Sequence, residues 1–191
     1  AYISGGYRFA IGRYSGDGVL DTTFGTSGFN TSTAGASITN SEAQDVINSI
    51  KIDKAGRVVA GGMASIGGVN KFTLARYTAS GALDSTFGTS GFNSTTSGTN
   101  DSISGIAIDD LGRIIAGGRS TISSSNKFTI TRYTTSGAVD TSFGTNGFDF
   151  TTPANAAGGI STLLLDSAGK IVVGGSSSIT QSEWTIGRYL N

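Results

Sequence analysis

The chain has 191 residues, with 13 basic and 13 acidic side chains, a formal net charge of zero and 14% charged residues, against about 25% in average soluble domains. That balance leaves no cationic surplus to neutralise a phosphate backbone, which argues against nucleic acid as a partner, and no apolar run is long enough for a helix to span a bilayer. Histidine and cysteine are both absent, which removes the commonest general base and metal ligand and makes a Ser-His-Asp or Cys-His nucleophile impossible within the chain.

The elements read in chain order as short strands. Tyr2-Ile3-Ser4-Gly5-Gly6 is an apolar strand ending in paired glycines, and Phe9-Ala-Ile-Gly-Arg13-Tyr14 is the next. Asp21-Thr-Thr-Phe24-Gly25 follows and runs into Gly28-Phe29. After a loop between Thr31 and Asn48, Ile50-Lys-Ile52-Asp53 is a strand closed by a carboxylate. A turn containing Gly56 leads to Val58-Val59-Ala60-Gly61-Gly62, and a loop from Met63 to Asn70 leads to Phe72-Thr-Leu-Ala-Arg76-Tyr77. Asp84-Ser-Thr-Phe87-Gly88 then continues into Gly91-Phe92.

The same series returns as Ile106 to Asp109, Gly112, Ile114 to Gly118, Phe128 to Tyr133, Asp140 to Gly144 and Gly147-Phe148. It returns again as Leu163 to Asp166, Gly169, Ile171 to Gly175 and Trp184 to Tyr189. Arg76, Arg132 and Arg188 are spaced by 56 residues, and Arg13 precedes Arg76 by 63, the surplus falling between Thr31 and Asn48. Apolar runs of this length bounded by Gly, Asp and Ser are strands rather than helices. Four short strands per unit at a fixed period is the pattern of a β-propeller blade. The expected fold is therefore all-β: a single propeller domain over 1–191 of about four blades of short antiparallel strands, with repeat units near 1–46, 47–102, 103–159 and 160–191.

The recurring signature, Arg-Tyr, then Gly-x-Leu/Val-Asp-x-x-Phe-Gly-x-x-Gly-Phe, then Asp-x-x-Gly-Arg/Lys-Ile/Val-Val-x-Gly-Gly, resembles the delta-sixty repeat. That resemblance implies a β-propeller from long bacterial, largely extracellular or cell-surface proteins of unknown function. It implies a scaffold or binding module and brings no catalytic residues. By analogy with related propellers the Ile-x-Ile-Asp strand is innermost and the Asp-x-x-Phe-Gly segment leads to the outer edge. The first unit lacks an innermost strand and the last an outer segment, giving fourteen strand-like segments and incomplete terminal blades. Open edges invite pairing. Closure into a four-bladed ring, pairing of two chains, and strand exchange in a fibre all satisfy them, and a segment cut from a longer repeat protein is a fourth option.

Asp21, Asp84 and Asp140 each follow an arginine (Arg13, Arg76, Arg132) by eight residues. A strand, a turn and a return would bring each pair into a guanidinium–carboxylate fork within one blade. A ring of cations for an anion is the competing reading, and repeats favour the folding contact. Arg188 has no such aspartate downstream and is a candidate interface residue. Asp53, Asp109 and Asp166 end the inner strands and could line a channel mouth and hold a cation. Calcium needs six to eight oxygens and no calcium-loop spacing is present, so turn capping is the better reading. Tyr14, Tyr77, Tyr133 and Tyr189 could present hydroxyls at a rim, and the loops Thr31 to Asn48 and Met63 to Asn70 are where specific contacts would sit.

The functional expectation is a non-enzymatic structural or assembly subunit, extracellular or at the cell surface, without cofactor or metal. Its partners would be other copies of itself or neighbouring repeats. A glycan- or protein-binding module is the alternative, and a propeller-scaffold hydrolase or lyase ranks last.

Overall fold

The computed structural model describes residues 2–3, 6–34, 44–153, 157–178 and 182–189. These residues contain fifteen strands and no α-helix. The first unit is two separate two-stranded sheets, β1 (Tyr2–Ile3) with β2 (Gly6–Tyr7) and β3 (Phe9–Gly12) with β4 (Phe29–Ser32). The second is β5 (Val46–Ile52), β6 (Val58–Ile66), β7 (Val69–Tyr77) and β8 (Phe92–Thr95), hydrogen-bonded in that order. The third repeats it with β9 (Ser102–Ile108), β10 (Ile114–Ile122), β11 (Ser125–Tyr133) and β12 (Phe148–Thr151). The fourth is a three-stranded sheet of β13 (Ala157–Leu165), β14 (Ile171–Ser178) and β15 (Ser182–Tyr189). The pairing is antiparallel throughout these sheets.

The architecture is that of β-propeller blades stacked face to face, with the sheets not closed into a ring. The first strands of neighbouring blades, β5, β9 and β13, lie side by side, which puts them innermost. The core is divided into the joints between blades, because a blade's middle strands are apolar on both faces and must be covered twice. Phe9, Ile11 and Phe24 of the first blade pack on Ala60, Ala75 and Tyr77 of the second. Phe72, Leu74 and Phe87 meet Ile103, Ile106, Ile114 and Tyr133 across the second joint. Phe128, Ile130 and Phe143 meet Ile160, Leu163, Ile171 and Val173 across the third.

The paired glycines serve this stacking in two different ways. A Cβ on Gly62, Gly118 or Gly175 would overlap the carbonyl of Val46, Ser102 or Gly159, where the inner strand carries a β-bulge. A Cβ on Gly61 would stand 2.6 Å from Ile106 Cγ2 and one on Gly117 2.7 Å from Leu163 Cδ1. Gly61 and Gly117 therefore let the next blade approach, and Gly62, Gly118 and Gly175 admit the bulge.

Two expectations are corrected. The stretch Met63 to Asn70 is not a loop, and its counterpart in the next repeat, Arg119 to Asn126, is built the same way: strand pairing runs outward to Ile66↔Val69 and Ile122↔Ser125. Only two residues turn the chain, Gly67-Gly68 (φ 64° and 77°) and Ser123-Ser124 (φ 50° and 63°). Both positive φ values define the tight hairpin turn whose twist matches the strands. Tyr2 to Gly6 is not one strand either. Tyr2↔Tyr7 and Ile3↔Gly6 pair as a minimal hairpin, because only Tyr7 and Arg8 separate Gly6 from Phe9, too few to repeat the long β6–β7 ribbon. The central part of the Thr31 to Asn48 loop, residues 35–43, lies outside the described residues.

Candidate functional site

The repeated arginines stand at the blade joints. Arg13 Nε donates to Asp21 Oδ2 at 2.7 Å, Arg76 to Asp84 at 2.7 Å and Arg132 to Asp140 at 2.8 Å. Each guanidinium also lies over the phenylalanine of the following Asp-x-x-Phe-Gly segment, 4.8 Å from Phe24, 4.7 Å from Phe87 and 5.0 Å from Phe143. The fork is thus formed within one blade, on an aromatic ring that fixes its plane.

The arrangement then reaches into the next blade. Arg13 Nη1 donates to the Ala79 carbonyl at 2.8 Å and Arg76 Nη1 to the Thr135 carbonyl at 2.7 Å. Beside them Gly25 N–H donates to Ser80 O at 2.7 Å and Gly88 N–H to Ser136 O at 2.8 Å. A tight turn after each Arg-Tyr strand supplies those carbonyls. Its glycine presses on the preceding blade: a Cβ on Gly81 would be 2.8 Å from Phe24 and one on Gly137 2.7 Å from Phe87. Arginine, aspartate, phenylalanine and the neighbour's turn together make a polar lock at the rim of the first two apolar joints.

Electrostatics agree with the geometry. The Thr23 hydroxyl and amide, then Arg13, hold Asp21 below the usual carboxylate range. Asp84 is lowered by the Thr86 hydroxyl and by Arg76, against the opposing effect of burial. Asp140 is lowered by Ser142 and by Arg132.

The inner-strand carboxylates have different work. Asp53 accepts from the Ala55 and Arg57 amides and from Arg57 Nε at 2.7 Å. Asp109 accepts from the Leu111 and Arg113 amides and from Arg113 Nε at 2.6 Å. Asp166 accepts from the Ala168 and Lys170 amides. All three close their own turns, and among the described residues no group of His, Cys, Asp or Glu could hold a metal ion.

Tyr77 and Tyr133 are not rim hydroxyls but buried core, and burial pushes each phenol up to about 12. Two buried aspartates were missed in the sequence. Asp45 accepts from Thr33 Oγ1 and Ala34 N, and Asp101 from the Ser97 and Gly98 amides. Each fastens the segment leading into an inner strand, and burial raises Asp45. Their separation of 56 residues is the signal that marks them; Gly158 stands at the third position and breaks it.

Arg188 is exposed on β15, makes no ion pair among the described residues and lies near enough to Asp166 to help lower its carboxyl. It shares its strand with Trp184 and Ile186, which are 97% and 84% exposed.

A family model described as a domain of unknown function (DUF5122), a β-propeller, matches residues 1–24, 56–87 and 112–143. Those segments carry the Arg-Tyr strands and reach the phenylalanines of the locks in the first three blades. The chain is thus a β-propeller repeat protein similar to a family of unknown function. No curated protein matches it.

Proposed function

We infer that the chain is a non-enzymatic structural module, contributing β-propeller blades to an extracellular or cell-surface assembly. The observation that carries this reading is the use of its repeated chemistry. Arg13 and Arg76 each hold an aspartate of their own blade and a carbonyl of the next, and Asp53, Asp109 and Asp166 hold their own turns. Repetition of these groups follows from stacking one blade on another. The resemblance of the signature to the delta-sixty repeat supports a surface location, and the partners that suit it are other copies of the chain or neighbouring repeats.

Light scattering on the purified chain tests this reading. Self-association that grows with concentration is the expected result, and a strict monomer at every concentration overturns it.

A glycan-binding module is the second reading, favoured by a groove of about 420 Å³ between the third and fourth blades. Ser104, Arg119, Asn126, Ser161 and Ser176 line it, a hydroxyl-rich surface suited to sugar. Retention of an oligosaccharide that is lost on Arg119→Ala would favour it.

A further inference from the structure

The joint between the second and third blades and the joint between the third and fourth are built from equivalent strands, yet they differ at one end. In the former, Asp101 is buried, accepts from the Ser97 and Gly98 amides and donates its own amide to the Asn70 carbonyl. In the latter Gly158 takes its place, followed by Gly159 where the earlier repeats have Val46 and Ser102. On the facing blade, Met63 of β6 gives way to Arg119 of β10. One wall of the third joint has therefore lost a carboxylate, and the other has gained a cation. Contacts that serve folding recur from repeat to repeat. These two changes break the recurrence, and both move the joint toward positive charge.

The place they make is the groove of about 420 Å³, a volume that small ligands occupy. All of its lining comes from β9, β10, β11, β13 and β14. The Arg119 stem runs over the backbone of the fourth blade: a Cβ built on Gly159 would stand 3.1 Å from Arg119 Cβ and 3.6 Å from its Cδ. Arg119 itself is exposed and, among the described residues, has neither an ion pair nor a hydrogen bond. No Asp or Glu lines the groove to compensate it. Asn126 Oδ1 accepts from Thr121 Oγ1 at 2.8 Å, which fixes the amide and leaves its Nδ2 donors without a partner among the described residues. The hydroxyls of Ser104, Ser161 and Ser176 are unpartnered there as well.

Deepening the glycan reading and resting on it, we propose that this groove takes an acidic saccharide, with Arg119 on the carboxylate of a uronic acid residue. A guanidinium presents a planar fork that a carboxylate matches with two parallel hydrogen bonds. Serine hydroxyls both donate and accept, as the hydroxyls of a sugar ring do, and the Asn126 amide adds two donors. An acidic peptide could offer the same carboxylate, but an extended peptide is held by a free strand edge and side-chain pockets, and the strands that line this groove are paired with one another.

The full chain is titrated calorimetrically with trisaccharides in matched pairs: glucuronate against glucose, galacturonate against galactose, mannuronate against mannose. At least one acid is expected to bind, and its neutral counterpart to bind about tenfold or more weakly, the worth of a hydrogen bond to a charged group. Added salt is expected to weaken the acid. Arg119→Met, which restores the residue of the second repeat, and Ser161→Asp, which puts a carboxylate on the exposed opposite wall, are each expected to abolish the preference with circular dichroism unchanged. Arg119→Lys, which keeps the charge without the fork, is expected to retain part of it.

Equal binding of acid and neutral sugar overturns the proposal and leaves the glycan reading in place. A preference that survives in both Arg119→Met and Ser161→Asp does the same. A glutamate tripeptide that binds as tightly as the uronate overturns the sugar in favour of an acidic peptide. A chain that binds none of the six saccharides overturns the proposal and the glycan reading together.

Discussion

Arg76 and Asp84 keep side-chain exposures of only 5% and 9%, whereas Arg13 and Asp21 keep 44% and 30%. The two forks are alike in geometry, so burial alone separates their effects. Removing one member of a buried pair strands the other charge away from water and costs roughly 3–5 kcal/mol; an exposed pair loses little because solvent replaces the partner. Asp84→Asn is accordingly expected to lower stability in urea by about 3 kcal/mol, and Asp21→Asn to lower it less. The sign of the pH effect follows from the Asp84 carboxyl, held below its ordinary value of 3.8 by Thr86 and Arg76. A carboxyl depressed in the folded state stabilises above its unfolded value, and that contribution disappears as pH falls through the depressed one. The urea midpoint of Asp84→Asn should therefore fall less steeply on acidification below pH 3.8 than that of the wild type. Parallel curves would show that the pair is not the source of acid sensitivity. Asp45, raised by burial, acts with the opposite sign, its cost relieved as it protonates.

The ribbons β6–β7 and β10–β11 differ at their tips. Gly67-Gly68 adopts positive φ without a steric cost, while Ser123-Ser124 holds the same conformation with side chains. The left-handed region costs a non-glycine residue roughly 1–2 kcal/mol, and Asn-Gly is the pair such a turn favours. Ser123→Asn combined with Ser124→Gly is expected to raise stability by about 1 kcal/mol, read as a higher urea midpoint with an unchanged slope. A lowered midpoint would mean that the serine side chains hold the turn. The Gly67-Gly68 pair between two apolar runs was a hairpin signal in the sequence, obscured by the polar residues around it; Ser123-Ser124 carries no such signal, since its positive φ is imposed by the pairing on either side. The Arg–Asp forks were legible because eight residues span a strand end and a turn. Their second arms were not. Ala79 lies 66 residues from Arg13 and Thr135 lies 59 from Arg76, and only the stacking of blades brings them together. The same holds for Asp45 and Asp101, whose burial depends on an inner strand returning beside the preceding blade: the Asp45 amide reaches the Tyr7 carbonyl and the Asp101 amide the Asn70 carbonyl.

At the scale of the whole molecule the three apolar clusters lie one to each joint, so the second and third blades are covered on both faces and the first and fourth on one. In a stack whose units touch only their neighbours, stability is the sum of each unit's own term and its joints. The end blades then open at lower free energy than the centre, exposing less surface when they do. Hydrogen exchange measured over a range of urea concentrations should resolve this. Amides of β6, β7, β10 and β11 are expected to exchange slowest, by a route that depends steeply on urea; those of β3 and β15 should exchange faster, by openings that depend on it weakly. A single rate class with one urea dependence across all four blades would show instead that the stack unfolds as one unit.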